Sequence, residues 1–238
     1  MRSRSLQTEI EANGLPIFMH SIGLFMRFFQ SRDDYAIVAP FFDAALGPFM
    51  MPIRREVCRW VQRLDIREVL DICCGTGHQD MLLAETGIRV VGIDRSPSML
   101  EVAQSKSRKL IPFLLSDARR LPFRDNSFDG ALISFALHEN EPGLWFPMIR
   151  EALRVLRPEG KLLVVDYLDH SSGKHRAETL LIRWVEWMAG DSHYTNFRSF
   201  LNSGGLTQIL AQHPLRILEV TRCFWGMVGL VLSTPEKS

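Results

Sequence analysis

The residues best suited to chemistry stand in one short run, Val69-Leu70-Asp71-Ile72-Cys73-Cys74-Gly75-Thr76-Gly77-His78. An acid near the end of an apolar stretch, followed by two closely spaced glycines, describes a strand that turns sharply into a helix. Glycine permits the tight turn and lets a ligand approach the backbone. The start of the following helix offers unpaired N–H groups and positive potential, which suit a carboxylate or a phosphate. Seventeen residues beyond Gly77 lies Asp94, at the end of a second apolar run. A carboxylate there can accept hydrogen bonds from both hydroxyls of a ribose. It can also serve as a strand-end acid capping the helix that begins after Ser96. A dinucleotide site asks for G-x-G-x-x-G, and Asp80 stands where the third glycine belongs. The pattern therefore leans away from NAD and toward a cofactor with no pyrophosphate.

Candidate proton acceptors lie farther along. His138 sits in Phe135-Ala136-Leu137-His138-Glu139-Asn140, just past a fourth apolar run. His193 and Tyr194 sit in a polar, aromatic segment with Asn196, Phe197 and Arg198. An imidazole at either place can act as a general base, or pack as an ordinary structural residue. The four cysteines, Cys58, Cys73, Cys74 and Cys223, form no CxxC pair and no zinc spacing. No metal site is expected, and the thiols point to a reducing, cytoplasmic compartment.

The elements that must position these residues alternate. Residues 67–72 read as a strand, 79–86 as a helix and 89–93 as a second strand. Ser96 is a good N-cap and Pro97 suits the first helical position. Residues 111–115 and 128–135 read as the third and fourth strands. A helix over 143–156 is stopped by a turn at Arg157-Pro158-Glu159-Gly160. Lys161 opens a fifth, buried strand ending at Tyr167. Alternation of this kind implies right-handed crossovers and a parallel, doubly wound α/β sheet. Ligands of such sheets bind at the carboxyl ends of the strands, near the switch point. Residues 216–223 and 227–232, separated by Phe224-Trp225-Gly226, read as a terminal β-hairpin.

Ahead of the sheet, residues 1–66 form a helical extension and 67–238 the main domain. Phe18, Ile22, Phe25 and Phe29 recur at helical spacing within an apolar run over 15–29. That helix packs on its own domain, lids an apolar pocket, or touches a membrane surface. The run is shorter than the roughly 20 residues that span a bilayer. A charged start followed by Glu9 and Glu11, without a cleavage site, argues against a signal peptide. A second apolar stretch over 35–64 is interrupted by Pro48 and Pro52. At 238 residues, 46% hydrophobic and 23% charged, the chain suits one globular domain with additions. A net charge of +1 gives no field that would draw nucleic acid. The partner expected is a small molecule.

Residues 69–78 resemble motif I of the class I S-adenosylmethionine-dependent methyltransferases, D-x-G-x-G-x-G, with Cys73 in place of the first glycine. Residues 90–96 resemble motif II. The run 116–167 is similar to the corresponding motifs of the menaquinone/ubiquinone-biosynthesis methyltransferase group, and the likeness extends over about residues 33–232. It implies a Rossmann-like, seven-stranded sheet, mostly parallel, with an antiparallel strand from the terminal hairpin. It also implies that S-adenosyl-L-methionine is the cofactor. Carried over by position, Asp71, Cys73, Gly75, Thr76 and Gly77 would hold the methionine end and Asp94 the ribose. Arg95 and Met99 would lie beside the adenine, which Asp117 and Ala118 would recognise, and Ser134 would face the methionine. Tyr35 and the Phe42-Asp43 pair resemble the element that covers the cofactor in this group. The implied reaction is methyl transfer to a small, hydrophobic acceptor such as a quinol, a phenol or a lipid-like molecule. Two other classes stay open, an NAD-binding oxidoreductase and a cofactor-binding scaffold without catalysis.

Overall fold

The computed structural model describes residues 39–168 and 191–236. The helix expected over 15–29 and Tyr35 lie outside them. The first described element is α1 (Ala39–Arg63), followed by β1 (Glu68–Ile72), α2 (His78–Glu85), β2 (Arg89–Asp94) and α3 (Pro97–Lys106). Next come β3 (Phe113–Leu115), β4 (Phe128–Ser134), α4 (Pro142–Val155) and β5 (Leu156–Tyr167). The chain closes with α5 (Asp191–Asn202), α6 (Gly205–Leu210), β6 (Leu215–Cys223) and β7 (Val228–Pro235).

The strands form one seven-stranded sheet in the order β3-β2-β1-β4-β5-β7-β6. The first five run parallel, and β7 inserts antiparallel between β5 and β6. This is the doubly wound sheet that the alternation of elements implies, with the antiparallel end that the resemblance to the methyltransferases implies. Its strand order reverses between β1 and β4, so the carboxyl ends of those strands open the crevice where ligands of such sheets bind. Layers on both faces explain the near-continuous apolar runs. Leu70, Ile72, Ala131, Leu132, Ile133, Leu162 and Val164 are almost wholly buried.

Two local readings change. The stretch holding Pro48 and Pro52 is a single 25-residue helix. Its buried Ile53, Val57, Trp60 and Val61 recur at helical spacing and join the same core as the strands, and that packing outweighs the N–H groups the prolines lack. The Arg157–Gly160 segment is part of β5, whose pairing with β4 shifts register between Phe128 and Gly130. A bulge there takes up the extra residues.

Phe113 on β3 shows how tightly the β1–β3 half of the sheet is packed. A side chain on Gly92 would put Cβ 2.5 Å from the Phe113 ring and 2.9 Å from Cys74 Sγ, and one on Gly77 would come 2.6 Å from the same ring. The ring thus fills a slot that two glycines leave open. Gly92→Ala is expected to cost about 1–3 kcal/mol by overpacking. In urea titrations, Gly92→Ala combined with Phe113→Leu should cost less than the sum of the single changes, with a coupling of about 0.5–3 kcal/mol. Strict additivity would show that the slot is not shared.

Candidate active site

The turn from β1 into α2 is made by residues in the left-handed region: Cys73 at φ 62°, Gly75 at φ 55° and Gly77 at φ 69°. Cys73 adopts a left-handed conformation at the position where the motif it resembles carries glycine. Gly75 faces open space, with nothing within 4 Å of where a Cβ would stand. Gly77 is the N-cap of α2 and supplies no capping side chain, so the first-turn N–H groups remain for an anionic ligand.

Asp94 braces this loop. Its Oδ2 accepts a 2.8 Å hydrogen bond from the Gly75 N–H and its Oδ1 one of 2.8 Å from the Ser96 N–H. Ser96 caps α3 as expected, its Oγ accepting from the Met99 N–H at 3.1 Å. Asp94 thus serves as a structural brace, and each carboxylate oxygen keeps a second lone pair for a ligand hydroxyl. Burial raises its pKa, and the N–H donors of Ser96 and Gly75 work against that rise.

Behind the loop lie two buried acids, Asp71 and Asp80. Neither oxygen of Asp80, nor Oδ1 of Asp71, accepts a hydrogen bond from the described residues. The two carboxyls satisfy each other only if a proton lies between them. Burial, reinforced by the charge of Asp80, pushes Asp71 well up, and burial pushes Asp80 up to about 7. Arg54 from α1, itself largely buried, faces both acids and Asp43.

Asp43 ties α1 to the loop. Thr76 Oγ1 donates to Asp43 Oδ1 at 2.8 Å, Lys106 Nζ pairs with Oδ2, and His78 Nδ1 lies 3.4 Å from Oδ1. Burial alone would raise the Asp43 pKa, but His78, Lys106 and Thr76 together hold it well below the usual carboxylate range. A side chain from before the sheet therefore clasps the glycine loop and the end of α3.

The remaining candidates distribute along the same edge. Met99 and Ala118 are buried, Arg95 and Asp117 exposed, and Ser134 half-buried at the end of β4. Asp117 accepts from the Arg119 N–H at 2.8 Å and from Arg119 Nε at 2.9 Å, which holds its carboxylate at the surface. The Cys73 and Cys74 thiols are pushed well up by burial, which keeps them protonated and poorly reactive at neutral pH.

Across the switch point, the two histidines meet. His138 Nδ1 lies 2.7 Å from Asp166 Oδ1 near the end of β5. Asp166, fully buried, also accepts from the N–H groups of Leu137 at 3.0 Å and His138 at 3.3 Å. His193 on α5 brings its ring centroid 5.7 Å from that of His138, and its Nε2 lies 3.4 Å from Glu139 Oε1. Asn196 Nδ2 donates to the Glu139 carbonyl at 2.8 Å and fixes α5 against this loop. Tyr194 packs beside Phe197, with Arg198 over its ring. The sequence identifies the two histidines, and Asp80 as the residue replacing a third glycine, but not the roles of Asp166, Glu139 and Arg54 or the pairing of Asp80 with Asp71. Asp166 hides in a strand read only for its apolar run, and no local spacing joins it to residue 138.

The acid pair has a consequence for stability. A folded-state pKa near 7 for Asp80, against an unfolded value of about 3.9, means that the folded chain holds a proton the unfolded chain has released. Its contribution is fully present below about pH 4 and is lost as pH rises toward 7. Asp80→Asn should flatten the fall in urea midpoint between pH 5 and 8 relative to the parent. An unchanged slope would place the shared proton elsewhere.

Comparison with known proteins matches the sequence at the glycine loop and beyond. Residues 69–160 match the family model described as a methyltransferase domain. The chain is 40% identical over 124 residues to a demethylmenaquinone methyltransferase of Renibacterium salmoninarum, covering 52% of this chain and 51% of that one. The chain thus spans about half the length of the curated relatives it matches. A solved protein of Pyrococcus horikoshii shares the fold with TM-score 0.58 and 23% identity, over 94% of this chain and 100% of that one. An S-adenosylmethionine-dependent methyltransferase of Methanosarcina mazei does so with TM-score 0.52 and 22% identity, over 72% and 93%. No helix among the described residues is long and apolar enough to cross a membrane. Residues 69–160, carrying the glycine loop, Asp94 and the fourth-strand exit, match a methyltransferase domain, and the sheet that holds them has the fold of solved S-adenosylmethionine-dependent methyltransferases.

Proposed function

We propose that this chain transfers the methyl group of S-adenosyl-L-methionine to a small, hydrophobic acceptor bearing an ionisable hydroxyl, a quinol or phenol. The observation that carries this reading is the meeting of His138, Asp166, His193 and Glu139 beside the strand ends that carry the cofactor loop. The named activity of the demethylmenaquinone methyltransferases, to which half of the chain is similar, supports a quinone-type acceptor.

The residues present fit the cofactor. The open space at Gly75 admits a ligand to the backbone, the uncapped start of α2 suits its carboxylate, and the spare lone pairs of Asp94 suit its ribose diol. Arg95, Met99, Asp117 and Ala118 would flank the adenine, and Asp71, Cys73, Thr76, Gly77 and Ser134 the methionine, with Tyr35 as part of the cover. When bound, the cofactor supplies an electrophilic methyl group on a sulfonium sulfur. The protein's task is then alignment and exclusion of water, and orientation alone can be worth about 7–11 kcal/mol in ideal cases.

On the acceptor side, Asp166 takes the Nδ1 face of His138 and fixes its ring, an arrangement in which a carboxylate orients an imidazole for proton transfer. Phe135, Tyr167, Phe197 and Phe200 surround that ring. A site walled by such side chains favours a flat apolar acceptor. His193, more exposed than His138, and Tyr194 stand where an acceptor hydroxyl could give up its proton.

Two measurements test this reading. In calorimetry the parent should bind S-adenosylmethionine and not NAD. Asp94→Ala should weaken that binding at least tenfold, since charge-assisted hydrogen bonds are worth about 1.5–3 kcal/mol each. It should also lower the melting temperature, because the Gly75 and Ser96 N–H groups lose their acceptor. Preference for NAD would overturn the assignment. In single-turnover assays with a demethylated quinol, His193→Ala should slow methyl transfer by about 10²–10⁴-fold with cofactor affinity unchanged. A parental rate would leave positioning as the whole of catalysis.

A further inference from the structure

The groups gathered on the acceptor side have the composition of a metal centre. One ligating atom from each of His138, Glu139 and His193 lies within 4.8 Å of the other two. His193 Nε2 and Glu139 Oε1 are already 3.4 Å apart. Two ligands of a tetrahedral zinc, each about 2.0–2.1 Å from the metal, stand at nearly that separation.

We propose that His138, Glu139 and His193 bind one divalent cation of the zinc class. The inference rests on the reading of this cluster as the acceptor-activating site and names a cofactor for it. Two imidazoles and one carboxylate are a donor set that zinc uses with a fourth position left for water or substrate oxygen. Asp166 completes the pattern. Its Oδ1 accepts from His138 Nδ1, which directs Nε2 to the metal, and a carboxylate behind a ligating histidine raises the basicity of the ring. Glu139 among the ligands and Asp166 behind them together balance the two positive charges.

The supporting frame is rigid on both sides. Asp166 holds the 137–138 backbone as well as the ring, and Asn196 pins α5 to the Glu139 carbonyl. The ligands come from the loop after β4 and from α5, so a cation fastens that helix to the sheet edge. With the cation present the histidines are ligands, and the metal takes over the lowering of the hydroxyl's pKa. The acceptor O–H proton leaves to solvent. The ionised acceptor then forms a bond to the methyl carbon, through its oxygen or through the ring carbon that shares its charge, as the carbon–sulfur bond breaks, and that electron pair stays on sulfur.

The test uses the full chain, stripped of metal by dialysis against a chelator and titrated with zinc chloride in competition with a chromogenic chelator. One zinc per chain is expected, with a rise in melting temperature. His193→Ala and Glu139→Gln should each weaken zinc at least tenfold. Cobalt(II) in the parent should give the visible absorption of a tetrahedral site, lost in both variants. Absence of stoichiometric zinc, or parental zinc affinity in both variants, overturns the proposal. S-Adenosylmethionine titrations run in parallel separate the two readings. Cofactor bound without zinc sinks the metal site alone, and zinc bound without cofactor sinks the methyltransferase reading alone.

Discussion

The structure depends on a turn that reverses the chain in a few residues while leaving its backbone open to a ligand. Cys73, Gly75 and Gly77 all adopt left-handed dihedrals between β1 and α2. Such a loop cannot hold itself, because left-handed residues make no regular ladder of hydrogen bonds. It is held from outside, by the Asp94 carboxylate on the Gly75 N–H, by Asp43 on Thr76, and by the Phe113 ring against Gly77. Each brace comes from a different element, so the loop takes this shape only when β2, β3 and α1 have assembled around it. A left-handed cysteine costs about 1–2 kcal/mol relative to glycine, and the surrounding contacts must outweigh it.

The second constraint is charge under burial. Asp71, Asp80 and Asp94 crowd the ends of β1 and β2 with Arg54 as a nearby cation. An ionised acid without partners would be too costly at such depth. Burial pushes Asp71 and Asp80 toward their protonated forms, and Asp94 has two backbone donors.

The cluster around His138 follows the same logic with fewer charges. Asp166 is wholly buried, and its three backbone donors and His138 together satisfy it. A single β5 side chain thereby sets the backbone and the ring of the β4 exit. Tyr167, Phe197 and Phe200 pack round the buried His138 ring, while His193 and Glu139 beside it are only half-buried.

Much of this was legible in the sequence because the signals are local. The strand–glycine–helix run, the Ser96-Pro97 cap and the apolar strands each depend on residues close together in the chain, where backbone sterics and periodicity act. The parallel sheet follows from their alternation, and the antiparallel end from the terminal hairpin. Other features needed the assembled fold. Asp166 meets His138 across 28 residues, Asp43 meets Thr76 across 33, and His193 meets Glu139 across 54. No period or motif encodes those distances; strand register and helix docking do. The glycine at 77 has the same cause. Its type is written in the motif, but the ring that requires it arrives from β3, two crossovers later. Sequence alone determined which residue types carry the chemistry and on which elements they ride. Only tertiary packing decided which of them touch, because proximity across a sheet is a property of the whole layer and of no single segment.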